Sequence, residues 1–192
     1  DFTTNRGLSD FNVGHRFVAS LIYELPFGKG KGGNAFTSAF NKLAGGWELG
    51  SVITLADGTP INVGNIGDVT STENSSLPDA TGISPFPANQ TAQQFWNAAA
   101  FNPTNPDLNY RYGTTARNVL LTPGTKNWDL SLIKTTRFLE HQSIQFRFEA
   151  YNFANHPNWL SPATDVRTPA TFGVITQAKT MRVLQFALKY SF

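Results

Sequence analysis

Three histidines are the first residues to weigh for chemistry, because a neutral imidazole binds transition metals and titrates near physiological pH. His15, His141 and His156 lie at a strand start, in a turn and before a proline. No two have the i, i+4 spacing of a helical metal site, and the chain has no cysteine to complete one. They read as polar loop and border residues, so neither a metal nor a cofactor is expected. The run GKGKGG at 28–33 has the glycines of a phosphate-binding loop but not its spacing, and no Ser or Thr follows Lys31, so it reads as a flexible turn. There is no GxSxG, and spacing singles out no pair of carboxylates. With nothing placed for nucleophilic or acid–base catalysis, a non-enzymatic protein is expected.

Two looser sets remain. Arg137, Arg147, Glu149 and Lys189 sit on alternating segments, where they are candidates to line a hydrated lumen and touch a solute. The plainer reading is charge pairing across strands. Trp96, Phe101, Tyr110, Tyr112 and Trp159 lie in long polar connections and are candidate ligand-contacting loop aromatics, able to stack on sugar rings. The plainer reading here is that most of them pack the connections together.

The elements that would position these groups are strands. Five segments alternate apolar and polar residues with period two. Phe17, Leu21 and Tyr23 face away from Arg16, Ser20 and Glu24; Trp47, Leu49 and Ile53 away from Glu48 and Gly50; Trp128, Leu130 and Leu132 away from Asp129 and Ser131. Ile144, Phe146 and Phe148 oppose Gln145, Arg147 and Glu149, and Phe186, Leu188, Tyr190 and Phe192 oppose Gln185, Lys189 and Ser191. The expected strands span about 14–26, 46–63, 126–138, 143–154 and 180–192. Each is near the length of a tilted membrane strand, about 9–11 residues.

The connections are unequal. A short polar stretch at 139–142 joins the third and fourth strands, whereas about 64–125 and 155–179 are long, rich in Asn, Pro, Thr and Gly, and unusual inside a compact soluble domain. Antiparallel alternation puts both long connections on one side and the turns at 26–46 and 139–142 on the other, the asymmetry of an outer-membrane barrel with extracellular loops and periplasmic turns. A short helix is expected around 36–43. Another is expected at TAQQFWNAAAF, where Thr91 and Gln94 make a capping box.

A soluble β-sandwich would also bury one face of each strand. Ionisable groups on the opposite face, with Tyr23, Trp47, Trp128 and Tyr190 near segment ends on the apolar one, favour a wall between lipid and water. Backbone groups unpaired in hydrocarbon cost several kcal/mol, so such strands must close into a barrel. Five cannot close, so the chain is expected to be part of a larger wall. No stretch approaches the roughly 20 apolar residues of a membrane helix. A first residue other than Met, with no signal segment after it, suggests a processed or excised piece. The 15 basic residues are scattered and the net charge is only +2, so nothing calls for nucleic acid.

The runs QFWNAAAFNPTNP, YGTTARNVLLTPGTKNWDLSLIKTTRF, IQFRFEAYNFANHPNW and LQFALKYSF, in that order, resemble the closing strands of TonB-dependent outer-membrane receptors, in particular the Oar-like group with a carboxypeptidase-regulatory-like domain. HRFVASLIYELPFGKGK and GGWELGSVITLADGTPINV are similar to the preceding strands, so the resemblance covers nearly the whole chain. It implies an all-β, antiparallel transmembrane barrel of about 22 strands, of which these are the carboxyl-terminal five or so, with a plug in the lumen. Plug and signal peptide are not among these residues. It further implies an integral protein of a Gram-negative cell outer membrane, in contact with outer-membrane lipid and driven by the inner-membrane TonB energy-coupling complex through an amino-terminal box. Phe186, Leu188, Tyr190 and Phe192 match the carboxyl-terminal signal read by the barrel-assembly machinery. The function implied is energised uptake of a solute the sequence does not name. The alternatives are an adhesive or structural barrel of the Oar type and, further off, a soluble carbohydrate-binding β-sandwich.

Overall fold

The computed structural model describes residues 6–26, 44–64, 77–138 and 142–192. The expected helix at 36–43, the GKGKGG run and His141 lie outside them. Among the described residues there are nine strands: β1 (Arg16–Glu24), β2 (Trp47–Ala56), β3 (Pro60–Ile61), β4 (Asp79–Ala80), β5 (Phe101–Asn102), β6 (Leu120–Leu121), β7 (Thr125–Arg137), β8 (Ser143–Tyr151) and β9 (Val183–Ser191). The chain divides into two compact units. One holds Phe17–Leu55, Lys126–Pro157 and Thr180–Phe192; the other holds Asp1–Arg16, Ala56–Thr125 and Asn158–Lys179.

The first unit is a sheet in the order β1-β2-β7-β8-β9. Its registers keep like faces together. Leu132 lies opposite Phe148 and Lys134 opposite Phe146. Across the next pair, Phe148 lies opposite Phe186, Phe146 opposite Leu188 and Ile144 opposite Tyr190. Leu25 N donates to Trp47 O and Thr135 N to Gly46 O, each at 2.9 Å, which carries the antiparallel pattern through β1, β2 and β7. Gly46 adopts φ 75° at the start of β2, and a side chain there would collide with the Thr135 carbonyl. All five strands of this sheet are therefore the ones the alternation marks, and the fold is all-β and antiparallel.

Strand ends differ from the sequence reading where local chemistry intervenes. The second strand was expected to reach residue 63, yet β2 stops at Ala56. Three residues on, the backbone changes partner: Thr122 N donates to Thr59 O at 2.9 Å and Thr59 N to Thr122 Oγ1 at 2.9 Å. Pro60 has no N–H for a central ladder, so the chain continues as the two-residue strand β3 against β6. β8 stops at Tyr151 because Asn152 takes φ 50°, a left-handed conformation Asn tolerates. Its side chain then ties the turn, donating to His156 O at 2.9 Å and accepting from His156 N at 3.0 Å.

The second unit has its own hydrophobic core of Val63, Phe95, Trp96, Ala100, Phe101, Leu108, Leu120, Val166 and Phe172. Its aromatics form a chain in space. Trp159 meets Phe95 edge-on at 6.3 Å, Phe95 meets Trp96 at 5.9 Å, Trp96 meets Phe172 at 5.9 Å, and Phe172 meets Phe101 at 5.7 Å. Each such pair contributes about 0.5–1.5 kcal/mol beyond its buried area. Gly173, at φ 74°, brings its backbone against that of Trp96, where a Cβ would clash. No helix begins at Thr91. Gln94 N does reach Thr91 Oγ1 at 3.1 Å, but the next amides are spent elsewhere: Phe95 N on Gly173 O at 2.9 Å and Asn97 N on Pro85 O at 2.8 Å. The helical turn that does form, a 3-10 turn over Ala98–Ala100, is capped by Asn97.

Candidate functional site

The sheet unit offers two unlike faces. Registered rows on one face read Leu132, Phe148, Phe186 and then Lys134, Phe146, Leu188. These side chains do not pack into a protein core: Phe186 is 65% and Leu188 74% exposed. Large apolar groups left in water at this density would be untenable for a soluble sheet. Aromatics mark both ends of the face. At the turn end Phe138 stacks on Tyr190, centroids 6.4 Å apart and planes 8° apart, and Phe192 follows at 5.9 Å. At the other end Trp128 meets Phe153 at 5.1 Å and its indole N–H donates to Ser51 Oγ at 2.9 Å. From Trp128 to Phe138 the strand advances about 34 Å, or about 26 Å of height at a tilt near 40°, the thickness of an apolar barrel band.

The four residues expected on the wet side do share the opposite face. Arg147 lies opposite Ile133 and Ala187, Lys189 opposite Gln145, Glu149 opposite Ser131 and Gln185, and Arg137 opposite Ser143. Charge pairing across strands was the plain expectation; the ion pair that forms runs along β8, Arg147 Nη1 to Glu149 Oε1 at 3.6 Å. Tyr151 Oη donates to the other Glu149 oxygen at 3.4 Å. The terminal residues Phe186, Leu188 and Tyr190 fall on the apolar face beside Phe148, Phe146 and Ile144.

In the second unit the sequence-selected aromatics separate into two kinds. Trp96 is 1% exposed, with its indole N–H donating to Leu121 O at 3.0 Å; Phe101 is buried too, and Trp159 packs against the same core. A ring enclosed in this way offers no surface to a solute, which removes Trp96 and Phe101 from the candidate contacts. Tyr110 and Tyr112 are 90% and 51% exposed.

What holds the segment carrying those tyrosines escaped the sequence reading. Asp79 on β4 accepts both Nη1 and Nη2 of Arg111, each at 2.8 Å, in a bidentate pair. It also accepts Asn105 Nδ2 at 2.7 Å and the Thr114 backbone N–H at 3.0 Å. Chiefly through the Arg111 hydrogen bonds, its carboxyl is held down at about 2. Arg111 Nη1 donates as well to Tyr112 O at 3.1 Å, so one guanidinium ties the Tyr112 backbone to a buried carboxylate. Partners 32 residues apart leave no local signature, so only the fold reveals the clamp. A second anchor is Asn118, which adopts φ 54° and donates from Nδ2 to Leu8 O at 2.7 Å and Asp10 Oδ1 at 2.5 Å. Hydrogen bonds from Asn118 and then Arg117 lower the Asp10 carboxyl.

The histidines are placed apart. His15 Nδ1 lies 2.8 Å from Asp57 Oδ2 in an exposed pair, and His156 serves the Asn152 turn through its backbone. Among the described residues no three His, Cys, Asp or Glu side chains come together as a metal site.

Residues 1–185 match a family model described as an outer membrane beta barrel domain. No curated protein and no solved structure matches the chain.

Proposed function

The chain belongs to the outer-membrane β-barrel domain family and is therefore integral to the outer membrane; from this premise we propose that it is barrel wall and loop of a TonB-dependent receptor, which binds a solute outside the cell and takes it up by an energised step. One observation carries the reading. The long connections fold around a shared core and display Tyr110 and Tyr112 from a segment fixed by the Asp79–Arg111 clamp. A passive pore needs no such prepared surface, whereas recognition gains from order established before the ligand arrives.

In this reading the apolar sheet face meets outer-membrane lipid, and Arg137, Arg147, Glu149 and Lys189 face the lumen. The row Phe186, Leu188, Tyr190, Phe192 engages the barrel-assembly machinery, and the TonB complex acts through an amino-terminal box. The protein catalyses no reaction, needs no cofactor and binds no nucleic acid. The soluble β-sandwich alternative is set aside by the family and by the exposure of the apolar face. An adhesive barrel of the Oar type keeps its place, because an ordered unit of connections with exposed tyrosines equally suits contact with another cell.

Uptake separates the two. Cells making the full-length protein should accumulate labelled solutes from a glycan, peptide and metal-chelate panel, and should stop when TonB is deleted. Surface binding that persists undiminished without TonB, with no accumulation of any solute, would instead make the protein an adhesin.

A further inference from the structure

The turn that leads into Tyr110 also carries a carboxylate that the bonds fixing it leave unused. Pro106–Asn109 form a 3-10 turn, closed by the Tyr110 N–H donating to Asp107 O at 3.0 Å. In that geometry side chains three residues apart eclipse, about 6 Å apart along the axis, so Asp107 and Tyr110 stand on one side of the turn. Both are exposed, Tyr110 almost wholly. The turn is fixed without either side chain: Asn105 Oδ1 accepts the Asp107 backbone N–H at 3.1 Å, and Asn105 Nδ2 donates to Asp79 at 2.7 Å. The neighbouring cation is drawn away from them. Arg111 is the one basic residue between positions 97 and 116, and both its Nη atoms are bound to Asp79. As a pair the clamp is neutral, so Asp107 leaves the segment negative beside an aromatic face.

We infer that Asp107 and Tyr110 form a recognition edge for a cationic group of the solute, an alkylammonium such as that of a lysine side chain. The carboxylate supplies the counter-charge, and the ring face carries a quadrupole that attracts a cation. Each contact is modest at an exposed site. Held on one preordered turn, the two act together at little cost in ordering. An anionic solute would meet a carboxylate here, with the adjacent guanidinium already bound. The inference rests on the reading of this segment as a solute contact and adds the solute's charge; the probes keep the two apart.

The full-length protein in neutral detergent is titrated calorimetrically with tetralysine and, in parallel, with tetralysine acetylated on every amine, with maltotetraose and with ferric citrate. Tetralysine should bind in a manner weakened by salt, and its acetylated form should not. Asp107→Asn and Tyr110→Leu should each lose about two- to fivefold in affinity, whereas Tyr110→Phe, which keeps the ring, should match wild type. Unchanged protease resistance checks that the variants are folded. Spermine identifies the source of the cation: tighter binding of tetralysine than of spermine assigns it to a peptide, and the reverse order to a polyamine. Equal binding of tetralysine and its acetylated form, or wild-type affinity in Asp107→Asn or Tyr110→Leu, overturns the cationic edge. Binding of maltotetraose or ferric citrate that Tyr110→Leu weakens, with tetralysine inert, refutes the charge assignment and leaves the segment a solute contact. If Tyr110→Leu alters the binding of none of the probes, the solute contact falls together with the inference.

Discussion

Replacing Phe148 by Arg tests the sheet's two-faced character at its most demanding point. Phe148 lies in register between Leu132 and Phe186, with its ring 5.1 Å from that of Phe186. The Trp128 border is about 10 Å of wall height away and the Phe138 border about 15 Å, so a guanidinium here cannot bend its charge to either edge. A cation near the midplane costs about 2–4 kcal/mol, and the lost ring pair adds about 0.5–1.5 kcal/mol. Together Phe148→Arg should cost about 3–5 kcal/mol. The neighbouring change Arg147→Ser removes only a partly exposed ion pair at 3.6 Å, worth about 1 kcal/mol or less. Reversible urea titration of the full-length protein folded into phospholipid vesicles, read by gel mobility before and after heating, measures both. Similar costs at the two positions would mean that the faces have been assigned the wrong way round, or that neither meets lipid.

Further expectations concern the second unit and the terminus. Asp79 is depressed from an ordinary carboxylate value to about 2, so its contribution is complete above about pH 4 and is lost as pH falls toward 2. Asp79→Asn should remove about 2 kcal/mol at neutral pH and flatten that acid limb, followed by hydrogen exchange at residues 110–115; an unchanged limb would exclude the clamp as its cause. Trp96→Ala should cost about 3–5 kcal/mol locally, seen as protease cleavage within Ala56–Thr125 while the sheet stays folded; a variant as resistant as wild type would contradict the shared core. Phe192→Ser should lower the amount of assembled barrel in cells, scored by heat-modifiable migration, and undiminished assembly would detach the terminal residue from that task.

The two faces of the sheet were legible because side-chain parity is fixed by backbone geometry, whatever the strand's partner. Even Lys134 was readable as even-numbered and hence apolar-side, though the polar run Lys134 to Arg137 hid it. Partner identity was not legible. Ile61 and Val63 resume the parity of β2 beyond Asp57 and Thr59, and only the pairing of Thr59 with Thr122 shows that the backbone has left the large sheet. The capping box at Thr91 formed its bond but no helix, because burial of Phe95 and Trp96 redirected the amides that follow. The Asp79–Arg111 clamp and the Asn118 anchor join residues 32 and 108 apart in the chain, distances at which composition and spacing carry no signal.

The second unit draws on three separated stretches, with Phe95, Trp96, Phe101 and Leu120 from one and Val166 and Phe172 from another seated in a single core. Swapping one connection for that of a homologue would therefore strip its neighbours of their packing surface. The transplantable piece is the three-stretch ensemble, and divergence in ligand preference would be cheapest at outward positions such as Tyr110 and Tyr112, where a substitution disturbs no shared interior.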